Sequence, residues 1–255
     1  MDRASIEKRL GELKGHVGFF YKNMVTGESF EYQSKDEFEA ASLPKMALLL
    51  DVLKLAHDGK ISLTDKVEVL DSQKVGGCGA LKSFPGDVSV DIETLCRLMI
   101  TISDNTATNA LIRLVGFERL RTDMQAMGLE KTRFEKLYFD SEASARGLCN
   151  YVCPAEIGML LTQIYNREFC CEEVSAHAEE ILLLQQIRHK IPGYIGRSKK
   201  IANKTGETDG VTHDGAIVFA EKPFVLVICS ERTDVPQTER FIREVALELY
   251  RENNE

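Results

Sequence analysis

The chain has 255 residues, 44% of them hydrophobic and 28% charged, which is ordinary for a soluble globular protein of one or two domains. No apolar run approaches the roughly 20 residues that a bilayer crossing needs, so we expect no membrane span. The net charge of −8 argues against a nucleic-acid partner. Basic residues gather locally, where a positive patch could form, at Arg197, Lys199, Lys200 and Lys204.

The N-terminal part of the chain predicts a helix, a hairpin and a second, apolar helix. Apolar residues recur at helical spacing over 4–14, and period-two patterns over 16–22 and 29–32 flank a turn. The apolar stretch 46–56 continues a helix that starts near Ser42 and ends at Asp58-Gly59-Lys60.

The rest of the chain is helical in the middle and returns to strands. Helices are predicted over 92–102, 106–115, 116–128, 154–165 and 172–185, with no period over 131–152. Strands are predicted at 201–203, 215–220 and 224–230, before a final helix at 238–252.

Because a lone hairpin is not stable in water, the strands from the two ends of the chain are expected to join in one sheet. This predicts an α/β (α+β) fold with an antiparallel sheet, flanked by the N- and C-terminal helices, and an inserted all-helical domain. The predicted domains are 1–39 plus 191–255 for the sheet and 40–190 for the helices, with the active site at their junction.

Ser42 and Lys45 form the pattern S-x-x-K at the start of the apolar helix. Residues three apart share one helix face, and Lys45 is the one ionisable group that local spacing brings beside Ser42. A serine hydroxyl needs a base to become a nucleophile, so Ser42 is the candidate nucleophile and Lys45 its base. The pattern alone is weak, because Ser5 to Lys8 also matches it.

Two further motifs distinguish Ser42 from Ser5. Ser103-Asp104-Asn105 and Lys204-Thr205-Gly206 follow in chain order, and each occurs once. The set S-x-x-K, S-D-N and K-T-G is typical of class A β-lactamases and penicillin-binding proteins. The sequence resembles the class A-like serine hydrolases of that superfamily, and the resemblance covers nearly the whole chain.

The resemblance implies a role for each motif residue. The catalytic residues would be Ser42, Lys45, Ser103 (which protonates the leaving amine) and Lys204. Substrate contacts would come from Asn105, Thr205, Gly206, the oxyanion-hole N–H of Glu207 and, more weakly, His213. Asp104 would fix the turn through backbone N–H groups, and the glycine-rich stretch at Cys78 would border the cleft.

One departure from the family matters for the reaction. Class A β-lactamases hold their deacylating water with a loop glutamate that is followed four residues later by an asparagine. The loop here has no such pair, and Tyr138 stands roughly where the glutamate belongs. Glu142, Asp140 and Glu135 are the substitutes considered, and slow deacylation is expected without a general base.

Three functions therefore compete. The first is β-lactam hydrolysis through an acyl-Ser42 intermediate. The second is a D-alanyl-D-alanine carboxypeptidase or penicillin-binding protein that deacylates slowly. The third is a β-lactam-binding sensor module. All three predict a small substrate that pairs an amide or strained lactam with a carboxylate.

The seven cysteines do not form a standard metal-ligand pattern. A zinc site from Cys149, Cys153, the pair Cys170-Cys171 and His177 is disfavoured by its spacing, and we expect no metal and no cofactor. The odd cysteine count and the charged opening segment favour a cytoplasmic protein, or an exported protein whose signal has been removed. We also expect a monomer.

Overall fold

A computed structural model describes residues 2–196 and 198–254. Its helices are α1 (Arg3–Gly11), α2 (Lys45–His57), α3 (Ile92–Thr101), α4 (Asn105–Val115), α5 (Phe117–Ala126), α6 (Ser141–Ala145), α7 (Pro154–Asn166), α8 (Glu172–Leu183), α9 (Pro192–Ile195) and α10 (Val235–Glu252). Its strands are β1 (His16–Asn23), β2 (Ser29–Tyr32), β3 (Phe38–Glu39), β4 (Lys66–Val69), β5 (Val88–Asp91), β6 (Tyr151–Val152), β7 (Ile201–Thr208), β8 (Val211–Val218) and β9 (Phe224–Glu231).

Five strands from the two ends of the chain form one antiparallel sheet in the order β2-β1-β9-β8-β7. The N-terminal hairpin joins the C-terminal strands through β1 and β9, where Phe19 lies opposite Ile228. The predicted joining of the chain ends is therefore confirmed. Strand β7 lies at an edge of the sheet, which leaves one of its sides for the cleft described below.

Both faces of the sheet are buried, because apolar residues occupy successive positions along its strands and so point to both faces. On β1, Phe19 belongs to the core beneath α1 and α10, whereas Phe20 belongs to the larger core with the central helices. On β9, Leu226 and Val227 divide in the same way. The sheet thus separates two hydrophobic cores, and helix α7 packs on the face that meets the larger one.

Helix α2 is buried on nearly all sides, as an apolar helix in the middle of a core should be. It packs against α3, α4, α5, α7 and α8. This burial fixes the position of its first residue, Lys45, which is itself buried. No helix in the part of the chain that the structure describes is long and apolar enough to cross a bilayer.

Short strands account for most of the differences from the predicted elements. Strands β4 and β5 pair within a stretch that the sequence pattern predicts to be loose, and β3 pairs with β6 inside the aperiodic region. Neither pair is predictable from the pattern, because two to four residues give no measurable period. Strand β7 runs to Thr208 and so contains the whole K-T-G motif.

The predicted positive patch does not form as one surface. Lys199 and Lys200 are exposed, but Lys204 is fully buried on β7, and Arg197 lies outside the described residues. The proposed division into domains at 1–39 plus 191–255 and 40–190 stays a prediction.

Helix α7 packs on the sheet at Gly158, where a Cβ atom would lie 2.3 Å from the ring of Phe20. We therefore expect Gly158→Ala to lower the free energy of unfolding by about 1–3 kcal/mol, the usual cost of overpacking. Gly11 provides the matched control, since a Cβ there meets nothing within 4 Å. Chemical denaturation of both variants tests this contact, and equal stabilities would contradict it.

Candidate active site

Ser42 lies in a turn between β3 and α2, one turn before the helix begins at Lys45. The expectation that Ser42 sits on the helix itself was wrong, because residues 41–44 form turns. Ala41 adopts left-handed backbone (φ +40°), and Leu43 is completely buried. The turn is therefore anchored on one side while Ser42 faces the cleft, and within the described residues its hydroxyl makes no hydrogen bond.

Lys45 is fully buried and points to the motif on α3 and α4. Its Nζ donates to the carbonyl oxygen of Ser103 (2.8 Å), to Asn105 Oδ1 (2.8 Å) and to Ser103 Oγ (3.2 Å). Burial lowers the pKa of Lys45 well below its ordinary value, and the charge of Lys204 lowers it further. A neutral Lys45 could keep its two bonds to the carbonyl oxygens and offer its lone pair to a hydroxyl.

Ser103 occupies the tight link between α3 and α4 with left-handed backbone (φ +57°). Asp104 holds this link by accepting from the backbone N–H of Ala107 (2.9 Å) and, with its other oxygen, from Ala80 and Leu81. The prediction that Asp104 fixes the turn through backbone N–H groups is confirmed. This support holds the Ser103 hydroxyl between two lysines.

Asn105 is the first residue of α4 and lines the cleft. Its Oδ1 accepts from Lys45, and its Nδ2 donates to the carbonyl oxygen of Gly76 (3.2 Å). The amide nitrogen carries two hydrogens, so one remains for a substrate carbonyl. A Cβ on Gly77 would lie 2.7 Å from this nitrogen, which explains a glycine there, and Cys78 joins it in the cleft wall.

Lys204 lies on β7 and is fully buried. Its Nζ donates to Ser103 Oγ (3.1 Å) and to the carbonyl oxygen of Thr205 (2.7 Å). Burial, and after it the charge of Lys190, lowers the pKa of Lys204 to about 7. The Ser103 hydroxyl thus lies within hydrogen-bond distance of two lysines whose pKa values are both depressed.

Lys190 is a third buried cation, and sequence reasoning missed it. Its Nζ donates to the carbonyl oxygens of Gly206 and His213 (3.0 Å each) and lies 3.1 Å from Glu207 Oε1. No motif surrounds this lysine in the sequence, and only the pairing of β7 with β8 brings the two carbonyl oxygens together. It adds positive charge behind the strand that carries Lys204.

Strand β7 approaches Ser42 through Gly206. A Cβ on Gly206 would lie 3.1 Å from the backbone nitrogens of Ser42 and Leu43, so only a glycine lets the strand come this close without displacement. Thr205 is buried beside it, and Glu207 lines the cleft. A hydrogen bond with His189, followed by the charge of Lys190, lowers the pKa of Glu207 to about 2.

His213 is not available as a substrate contact, which corrects the expectation from sequence. The ring is fully buried: Nδ1 accepts from the backbone N–H of Ser230 (3.1 Å), and Nε2 donates to the carbonyl oxygen of Glu39 (2.7 Å). Both nitrogens are used inside the protein, and burial lowers the pKa of His213 to about 4. The residue therefore ties β8 to β9 and to the segment before Ser42.

The acidic residues considered as substitutes for the loop glutamate do not line the cleft. Asp140 caps α6 by accepting from the N–H of Ala143, Glu142 is exposed, and Glu135 accepts from Arg133. Their expected role in deacylation finds no support, because local helix capping and ion pairing direct their carboxylates elsewhere.

Tyr138 stands over Lys45 instead. The Nζ of Lys45 lies 4.5 Å from the centre of its ring, and its hydroxyl donates to the carbonyl oxygen of Ala41 (2.8 Å). Asn109 holds its backbone by two hydrogen bonds. Burial raises the pKa of Tyr138 far above the neutral range, so the phenol cannot act as a base at neutral pH.

The cleft above these residues has a volume of about 330 Å³. Ser42, Asn105, Tyr138 and Glu207 line it, together with residues that belong to no motif in the sequence: Glu39, Lys136, Phe139 and Cys149. Three of these, Lys136, Phe139 and Cys149, belong to the aperiodic region 131–152, so no pattern could have assigned them to the site.

Comparison with known proteins identifies the family. A sequence model described as the Beta-lactamase enzyme family matches residues 3–252, nearly the whole chain. The chain belongs to the Beta-lactamase enzyme family. A β-lactamase of Streptomyces fradiae is 25% identical to it over 246 residues, covering 90% of this chain and 79% of the relative.

Solved structures share the fold of this β-lactamase-family chain. The β-lactamase from Sphaerobacter thermophilus DSM 20745 matches it with a TM-score of 0.91 at 23% identity, covering 99% of this chain and 98% of the other. PBP-A matches with a TM-score of 0.89 at 24% identity, covering 98% and 94%. The resemblance and the fold predicted from the sequence are confirmed.

The burial of His213 predicts how stability depends on pH. The folded protein has the lower pKa (about 4), so the unfolded chain binds the proton first as the pH falls below about 6.5. The contribution of neutral His213 to the free energy of unfolding is complete above about pH 6.5 and is lost towards pH 4, with about 2 kcal/mol lost at pH 5. Urea unfolding at pH 7 and pH 5 measures it.

The variant His213→Leu should be less stable at pH 7, because two backbone groups lose their partners, but this part of the pH dependence should disappear. Gly158→Ala, which is expected to lower stability without adding or removing a titratable group, serves as the control and should leave the pH dependence unchanged. An identical pH slope in wild type and His213→Leu would contradict the assignment.

Proposed function

We propose that this protein is a serine hydrolase that opens a β-lactam amide through an acyl-Ser42 intermediate. The observation that carries the proposal is the buried chain of hydrogen bonds from Lys45 Nζ through Ser103 Oγ to Lys204 Nζ beside a cleft lined by Ser42. A proton can move along such a chain between a nucleophile and a leaving group. If Ser103 were purely structural, it would not need two buried lysines with depressed pKa values next to it.

The proposed acylation begins with proton transfer from the Ser42 hydroxyl to a neutral Lys45. The Ser42 oxygen bonds to the lactam carbonyl carbon, and the negative oxygen of the tetrahedral intermediate accepts from the backbone N–H groups of Ser42 and Glu207. The C–N bond then breaks while Ser103 gives its proton to the leaving nitrogen. Ser103 regains a proton from Lys45, 3.2 Å away, which restores the neutral base.

The proposed substrate carries a carboxylate close to the amide or lactam. Lys204 and the Thr205 hydroxyl would bind that carboxylate, while the Asn105 amide would bind a second carbonyl of the substrate. Lys190, behind β7, is paired with the Glu207 carboxylate, so the positive charge offered to the substrate comes from Lys204. The site thus presents positive charge to the substrate although the whole protein is acidic.

The named relatives support acylation. Several curated relatives are β-lactamases, and one solved structure with the same fold is an acyl-enzyme complex of a mutant PBP-A with penicillin G. That complex belongs to the other protein, which is 24% identical to this one. It shows that this fold accommodates a penicillin joined covalently to the enzyme.

A second candidate function is favoured by Tyr138. Its ring covers Lys45, and the loop carboxylates of Glu135, Asp140 and Glu142 do not line the cleft. Water attack on the acyl-enzyme then lacks the loop base that class A β-lactamases use. The site would suit a D-alanyl-D-alanine peptidase or a penicillin-binding protein that forms a long-lived adduct with β-lactams.

Intact mass measured over time after mixing with penicillin G tests the acylation. We expect the mass to rise by that of one penicillin and Ser42→Ala to show no rise, because Ser42 is the proposed nucleophile and its side chain lines the cleft. An adduct in Ser42→Ala would place the nucleophile elsewhere. An adduct that disappears within seconds favours the β-lactamase, and one that lasts for hours favours the penicillin-binding protein.

The identity of residue 138 should control the second half of the reaction. Tyr138→Glu puts a carboxylate beside the acyl-enzyme, so we expect the adduct to decay at least tenfold faster, towards the roughly 10²–10⁴-fold that a general base supplies. Tyr138→Gln is the matched control, with nearly the same shape as the glutamate and no charge. If both variants release the adduct at the same rate, added space rather than general-base catalysis explains the change.

A further inference from the structure

A pair of adjacent cysteines faces a histidine on the side of the helical region. Cys170 and Cys171 precede α8, and His57 is the last residue of α2. Cys171 Sγ lies 3.7 Å from His57 Nδ1, and the two sulfur atoms and a ring nitrogen of His57 all lie within 4.8 Å of one another. Residues more than a hundred positions apart in the chain are thereby brought into a single cluster.

The backbone holds the two thiols in this arrangement. Cys170 adopts left-handed backbone (φ +57°), whereas neighbouring side chains of an extended chain would point to opposite sides. The N–H of Cys171 donates to the carbonyl oxygen of Phe169 (2.6 Å), which also accepts from the Ser175 hydroxyl on α8. The cysteine pair is therefore fixed to the start of α8.

His57 is positioned by helix α2. It follows the buried residues Leu53 and Leu55 of α2, and α2 packs directly on α8. The imidazole is thus carried by one of two helices in contact, and both thiols belong to the segment that leads directly into the other. Such a cluster can bind a ligand without first ordering a loop.

The donor set is that of a thiophilic metal ion. Two thiolates and an imidazole favour Zn²⁺ and related d¹⁰ ions over Mg²⁺ or Ca²⁺, which prefer oxygen. With zinc bonds of about 2.3 Å to sulfur and about 2.0 Å to nitrogen, a tetrahedral site separates the two ligand atoms by about 3.5 Å. The observed distance of 3.7 Å between Cys171 and His57 needs almost no adjustment.

We propose that Cys170, Cys171 and His57 form a binding site for one Zn²⁺-class ion, with the fourth coordination position open to solvent. On binding, each thiol loses its proton to solvent and each sulfur forms a bond to the metal, while Nδ1 of a neutral His57 donates its lone pair. Cys170 and His57 are exposed, so the ion can enter directly. The expectation of no metal rests on residue spacing and takes His177 as the histidine near the cysteines. The sequence alone does not show that His57 lies beside them.

The bound ion would join the end of α2 to the start of α8. It would stabilise the fold in proportion to its occupancy, because the unfolded chain does not hold the three ligands together. Lys45 lies at the other end of α2, about 18 Å away along the helix. We therefore expect the metal to change stability and to leave acylation at Ser42 unaffected, so this proposal does not depend on the proposed function.

Titration of the full-length, fully reduced, metal-free protein with Co²⁺ tests the site. We expect thiolate-to-cobalt absorption that saturates at one ion per chain, loss of this absorption when Zn²⁺ is added, and a higher melting temperature with Zn²⁺. Cys171→Ser and His57→Gln should each weaken Co²⁺ binding at least about tenfold. Cys78→Ser, which removes an exposed thiol in the cleft, is the control and should bind as the wild type does.

Three results would overturn the proposal. The first is no thiolate-to-cobalt absorption in the wild type. The second is absorption that persists in the double variant Cys170→Ser/Cys171→Ser, which would assign it to other cysteines. The third is a loss of two hydrogen masses that maps to a Cys170–Cys171 disulfide and resists mild reductant, which would make the pair a redox couple. Melting temperatures measured with chelator show whether each variant is folded.

Discussion

The site depends on three lysine side chains that are buried without exposure to water. An uncompensated charge of this kind costs several kcal/mol, so each lysine must be hydrogen-bonded, neutral, or both. Lys45 and Lys204 meet this requirement by sharing the Ser103 hydroxyl and by having depressed pKa values. Lys190 meets it through two carbonyl oxygens and the carboxylate of Glu207. The conditions that make burial tolerable are also those that make a lysine a base.

The backbone around the lysines is correspondingly unusual. Ala41 and Ser103 both adopt left-handed conformations that cost about 1 kcal/mol or more for a residue other than glycine, and both lie beside the cleft. Gly206 lets β7 reach the backbone of Ser42. The apolar packing of α2 and the capping by Asp104 hold these segments in place. Stability gained in the core is thus used to keep the site in a strained but rigid geometry.

In the proposed reaction, Tyr138 favours acylation over deacylation. Acylation needs a base that can reach Ser42, and Lys45 is the residue proposed for that role. Deacylation needs a base that can reach water, and Tyr138 places an aromatic ring with a bound hydroxyl where such a group would act. The same ring helps to shield Lys45 from water and so contributes to its burial. In the proposed mechanism, the ring that helps to bury Lys45 for acylation therefore stands where class A β-lactamases carry the glutamate for deacylation.

The sequence by itself determined the long, strongly patterned features: the apolar helix after Ser42, the strands at both chain ends, and the motifs at Ser103 and Lys204. These follow from local periodicity or from residue types at fixed spacing, which need no knowledge of distant contacts. Only the tertiary structure decided the rest. It buried Lys190 and His213, directed Lys45 to a hydroxyl 58 residues away, and placed His57 beside the cysteine pair. Each of these depends on which distant segments pack together, and a single residue without a periodic neighbourhood carries no record of that packing.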